Sequence, residues 1–190
     1  MKTWAKWAGL TVMLMLCAAL VLARQVPRPP DSVVLEEDVP YRQVDGETLK
    51  LDVARPKAGD GPFPCVVFIH GGGWRAGDKH DFRAGIFGVA TQGVVGVSVQ
   101  YRFAPRHPFP AQLDDVKAAV RYVRDHAKEL KVDPDRIAAL GGSAGAHLAL
   151  MLATTSDEDP RDATSAAVKA AVSLAGPVDL TRRYPDASRY

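Results

Sequence analysis

A serine with a glycine two positions to either side stands where a strand-like run gives way to a helix-like one. Ser143 is the centre of Gly141-Gly142-Ser143-Ala144-Gly145, with Arg136-Ile-Ala-Ala-Leu140 before it and Ala146-His-Leu-Ala-Leu-Met-Leu152 after it. That order predicts a strand, a sharp turn and a helix. In such an elbow the serine is held in a strained backbone conformation that lifts its hydroxyl above a sheet, and the flanking glycines leave room for the neighbouring chain. The pentapeptide alone also suits an ordinary turn. About seventy residues upstream, the apolar run Pro64-Cys-Val-Val-Phe-Ile69 leads directly into His70-Gly71-Gly72-Gly73-Trp74. Three consecutive glycines are entropically costly to order, and are useful where bare backbone N–H groups must approach a ligand. A donor loop paired with an elbow is the equipment for acyl transfer: Ser143 as nucleophile, with N–H groups of Gly72, Gly73 and Ala144 holding the oxyanion of a tetrahedral intermediate.

On these two motifs the chain resembles the α/β-hydrolase superfamily, specifically its hormone-sensitive-lipase-like and bacterial acetylesterase or carboxylesterase branches. Tyr101-Arg-Phe-Ala-Pro105, His107-Pro-Phe-Pro110 and Val132-Asp-Pro-Asp-Arg136 extend the resemblance over about residues 33 to 180. Members often carry Asp before the Tyr-Arg pair, and here Gln100 takes that place. This departure bears on loop support, not on the nucleophile. The resemblance implies a parallel-rich sheet, a serine triad, and neither metal nor organic cofactor.

The triad order implied by the family is Ser, then Asp or Glu, then His, and no histidine follows His147. His147 lies four residues after Ser143 on the same helix, so its side chain should point away from the hydroxyl. His70 is expected to shape the donor loop, and His80, His107 and His126 to be surface or loop residues. Asp179, in Gly176-Pro-Val-Asp-Leu180, is a weak candidate for the triad acid, because the branch usually places its acid one strand later. Trp74 could wall the acyl or alcohol pocket, or serve as a buried structural indole. The pattern yields six strands, fewer than the family's full sheet, so the sequence reads as roughly the N-terminal two-thirds of a hydrolase, ending in the polar segment Thr181 to Tyr190. The remaining triad members are then expected beyond it. The edge after the last strand should be apolar and uncovered.

The elements that must position these groups follow from periodicity. Residues 33–44 and 47–55 alternate around Asp45-Gly46, a favoured hairpin turn. Further strands are expected at 64–70, 93–100, 136–142 and 168–174, and helices at 80–92, 112–130 and 144–154. Alternating strands and helices imply a mostly parallel sheet with helices on both faces, the α/β class. Val116, Ala119, Val120, Val123, Ala127 and Leu130 define the apolar stripe of the middle helix, and Asp114 and Asp115 in its first turn suit the positive end of its dipole.

Composition allows one domain: 47% of the 190 residues are hydrophobic and 24% charged. Residues 1–23 have the layout of a secretory signal peptide, with Lys2 and Lys6 before an apolar stretch and Val21-Leu22-Ala23 as a cleavage site. The alternatives are an uncleaved anchor and, on Cys17, a loose lipoprotein box. A proline-rich linker fills 24–32, and the hydrolase domain follows from 33 to 190. Without the two leader lysines, 22 basic residues face 22 acidic ones. There is no basic stripe for nucleic acid. Cys65 is left without an intrachain partner, and no His/Cys cluster suggests zinc. The sequence thus predicts a secreted or periplasmic serine hydrolase acting on carboxylic esters with small acyl groups. Its partners would be small-molecule or carbohydrate esters, with no stable membrane partner after signal cleavage. Peptidase or amidase activity on the same fold and a non-catalytic binding module are the alternatives.

Overall fold

The computed structural model describes residues 27–155 and 163–180. The signal segment at 1–23, linker residues 24–26 and the tail Thr181 to Tyr190 lie outside the described residues. Among the described residues, no helix is long and apolar enough to cross a membrane.

Six strands form one sheet: β1 (Val33–Val44), β2 (Glu47–Pro56), β3 (Phe63–Ile69), β4 (Val95–Val99), β5 (Val132–Gly142) and β6 (Ala170–Leu174). Their spatial order is β1-β2-β4-β3-β5-β6. β1 and β2 join through Asp45 and Gly46, both at positive φ (51° and 76°), the twist-compatible geometry that an Asp-Gly hairpin provides. β2 meets β4 antiparallel, and from β4 through β3 and β5 to β6 every pairing is parallel. The sheet is therefore mixed, with its parallel part carrying the two motifs.

Alternation along β3 divides the core. Cys65, Val67 and Ile69 face a large apolar layer with α2 (Ala111–Asp125) and α3 (Ala144–Thr154). Val66 and Phe68 face α1 (Arg83–Ala90), whose Ile86, Phe87 and Ala90 are buried. Helices thus cover both faces, as the alternation predicted. Each fully buried aliphatic side chain in these layers contributes roughly 1.5–3 kcal/mol relative to exposure.

Three boundaries differ from the sequence reading, each for a local reason. The helix expected over 80–92 divides into a 3₁₀ turn at Lys79–Phe82, capped reciprocally by Asp78 and Asp81, and α1. The helix expected to reach Leu130 ends at Asp125; the chain then turns through His126 to Lys131, which has φ 56°, and that turn still buries Leu130. β5 starts at Val132, paired with Phe63, and runs irregularly past Pro134 before Ile137 pairs with Cys65. β6 lies at the edge with Val172 and Leu174 about half exposed (46% and 49%), the apolar flank expected there.

Candidate active site

Ser143 joins β5 to α3 with φ 52° and ψ −117°, a conformation that L-residues rarely adopt, and it is exposed. Its own N–H is not free for a ligand, because it donates to Leu174 O at 2.9 Å and ties the turn to β6. The elbow fits against the end of β3 only because residue 145 is glycine: a Cβ there would lie 2.0 Å from Ile69 O. Ala144 is the first residue of α3, where backbone N–H groups have no intrahelical acceptor.

The loop after β3 closes from the opposite side. Arg75 and Ala76 donate their N–H groups to Gly72 O, both at 3.1 Å, and Ala104 N–H holds Trp74 O at 2.9 Å. Beneath this loop His70 is fully buried, stacked on Tyr101 with centroids 4.3 Å apart. The His70 Nδ1–H donates to Gly71 O at 2.8 Å, and the Tyr101 hydroxyl donates to His70 O at 2.9 Å. His70 therefore supports the glycine loop, as expected.

Between loop and elbow lies a cleft of about 400 Å³. It is lined by Gly73 and Trp74 of the loop, Ser143 and Ala144 of the elbow, and Ala175, Gly176 and Pro177 after β6. The structure thus brings Ser143, Gly73, Trp74 and Ala144 together. Gly72 does not line the cleft and instead closes the turn that presents Gly73. Asp179 is exposed, three residues past the end of the β6 loop's Gly176, and does not line the cleft. Trp74 lines the cleft and is only 7% exposed.

No histidine is among the residues lining the cleft. His147 turns its ring to Trp74, with centroids 5.4 Å apart and planes at 84°. His107 pairs with Glu47 at 3.1 Å, His126 stacks on Tyr122, and His80 is exposed beside Asp78.

Two buried ion clusters support this arrangement, and the sequence reading found neither. Asp115 is fully buried instead of serving a helix dipole; it accepts from Arg102 Nε and Nη2, from Arg102 N–H and from Arg42. It thereby anchors the segment that carries Tyr101. Asp52, also buried, receives Lys79 Nζ at 2.7 Å and Arg83 Nη2 at 3.1 Å, which fixes the chain leaving the glycine loop. Glu37, Asp52 and His80 approach closely enough to hold a cation, yet Lys79 and Arg83 already neutralise Asp52. Gln100, the departure from the family pattern, accepts from Lys50 N–H at 3.0 Å and so supports β2.

Burial holds both His70 and His147 below the ordinary histidine value of 6.5. In the unfolded chain both rings take up protons near that value, and in the folded protein they resist. Their contribution to stability is therefore complete above pH 6.5 and shrinks as pH falls below it. The midpoint of urea unfolding should fall from about pH 7.5 to about pH 5.5, and fall less in His147→Phe, which removes one of the two groups. An identical pH dependence in the variant would remove His147 from this account.

Comparison with known proteins matches this geometry. The BD-FAE family matches residues 51–189. Carboxylesterase NlhH of Mycobacterium tuberculosis is 42% identical over 137 residues, 68% of this chain and 42% of that protein. Esterase 2 of Thermogutta terrifontis, solved with propionate bound, superposes with a TM-score of 0.71 at 34% identity over 80% of this chain and 57% of its own. The same esterase with butyrate bound gives 0.70 at 34% identity over 83% and 59%. The chain spans less than half the length of NlhH, at 42%. A glycine loop and a strained serine at the carboxyl ends of parallel strands, together with these matches, place the chain in the BD-FAE family, in the hormone-sensitive-lipase-like branch of the α/β-hydrolases.

Proposed function

We propose that the protein is a serine hydrolase that cleaves carboxylic esters with small acyl groups through an acyl-enzyme. The observation that carries this reading is the exposed Ser143 at positive φ, in a cleft lined also by Gly73 and Trp74. Ser143 Oγ attacks the ester carbonyl carbon and gives its proton to a general base. The carbonyl oxygen, now an anion, is met by N–H groups of Gly73 and Ala144, with Gly72 holding the donor turn. The tetrahedral intermediate collapses, the alcohol leaves with the proton from the base, and water then releases the acid from Ser143. A histidine and its acid partner complete the machinery; the cleft-lining residues do not supply them.

A small acyl group fits within the cleft. Trp74 and Pro177 help to line a volume of about 400 Å³, while Ser143 and Gly73 are exposed. The alcohol can therefore extend into solvent, and a sugar ester is as acceptable as a smaller one. The esterase relatives support the same choice. We infer export to the periplasm or beyond from Lys2, Lys6 and the apolar run before Ala23.

A fluorophosphonate probe applied to the full-length protein should label Ser143 and fail to label Ser143→Ala. Labelling at Ser98 or Ser173 instead would reject the assignment.

A further inference from the structure

His147 and Trp74 meet in a contact that catalysis by Ser143 does not itself require. His147 sits one helical turn after Ser143, its N–H directed at Ser143 O at 3.2 Å. Its ring stands almost perpendicular to the Trp74 indole, at 84° with 5.4 Å between centroids, the edge-to-face arrangement aromatic pairs favour. Its buried Nδ1 has no hydrogen-bond partner. Trp74 has its backbone at φ 60° between exposed Gly73 and Arg75, while the residue itself is only 7% exposed.

We propose that His147 is a positioning residue that braces Trp74 and so sets the width of the acyl side of the cleft. Trp74 lines the cleft and meets His147 as well. The contact joins the two independent parts of the site, because Trp74 belongs to the donor loop and His147 to the helix that begins at the nucleophile. A braced indole excludes long acyl chains and keeps short ones near Ser143. An unbraced one swings, which widens the cleft and weakens the hold on a short chain. The inference rests on the esterase reading proposed above.

The test uses the full-length protein and p-nitrophenyl acetate and hexanoate, with fluorophosphonate labelling of Ser143 run on every variant. His147→Ala should raise KM for the acetate about fivefold to tenfold with kcat changed less than about twofold, and should shift kcat/KM toward the hexanoate by about tenfold. Trp74→Ala should shift the same ratio, and the double variant should add nothing further. His147→Phe restores an aromatic edge without a ring nitrogen, and should return KM and chain-length preference to within about twofold of the parent. A His147→Phe enzyme with the same loss as His147→Ala, or one whose kcat collapses because the nitrogen itself is needed, would overturn the proposal. So would an unchanged ratio in His147→Ala. Should His147→Ala fail to fold, His147→Phe decides alone. An unlabelled parent protein would instead reject the esterase reading.

Discussion

Ser143→Ala should reduce turnover of a short-chain p-nitrophenyl ester by roughly four to six orders of magnitude, leaving only what binding and oxyanion donors supply without a nucleophile. Each decade corresponds to about 1.4 kcal/mol of lost transition-state stabilisation. The same position offers a second, independent readout. Ser143 is held at φ 52° and ψ −117°, a conformation that costs a non-glycine residue about 1–3 kcal/mol. Ser143→Gly should therefore be equally inactive yet more stable than the parent by about 1 kcal/mol, the relieved strain outweighing glycine's extra chain entropy. Urea unfolding monitored beside ester turnover separates the two effects. An inactive variant no more stable than the parent would show that the elbow stores no strain. A Ser143→Ala enzyme that keeps a tenth of the activity would refute the nucleophile.

The elbow and the glycine loop were legible because their signals are local. A buried strand, a glycine run and a small-residue helix are each written in consecutive residues, and the parallel pairings of β3 with β5 bring the two ends together. The Asp45-Gly46 hairpin was legible for the same reason. What supports these pieces was not. Asp115 and Arg102 are 13 residues apart on a helix and a loop, and only the packing of α2 against the sheet makes them a buried pair. Lys79 carries a charge that composition assigns to the surface, yet it is 2% exposed because Asp52 on β2 meets it. Helix α2 was overextended because the turn from His126 to Leu130 happens to repeat the helical spacing of buried positions. The meeting of His147 with Trp74 depends on how the glycine loop folds over the elbow, which no periodicity reports.

Gly72→Val should lower ester turnover by about two to three orders of magnitude, the scale of losing one oxyanion donor, while leaving the sheet intact. The reason is steric and specific. At φ 110°, Gly72 occupies backbone space closed to a β-branched residue, and a Cβ would fall 2.0 Å from Ala76 O and 2.5 Å from Ala76 C. Gly72 O also accepts from Arg75 and Ala76 N–H, so no part of the turn can yield without releasing the others. The turn must open, and Gly73 moves with it, away from Ser143. Gly73 itself gives the control. It has φ 60° but no atom within 4 Å of an added Cβ, so Gly73→Ala meets only left-handed backbone strain, about 1–2 kcal/mol. Gly73→Ala should thus lose activity by less than about tenfold, far less than Gly72→Val, even though Gly73 lines the cleft and Gly72 does not. Circular dichroism of both variants, beside turnover of the same ester, makes the comparison. Equal losses in the two would mean that side-chain bulk near the cleft governs the rate, and a folded Gly72→Val with unchanged turnover would reduce the glycine run to a connection between β3 and the 3₁₀ turn.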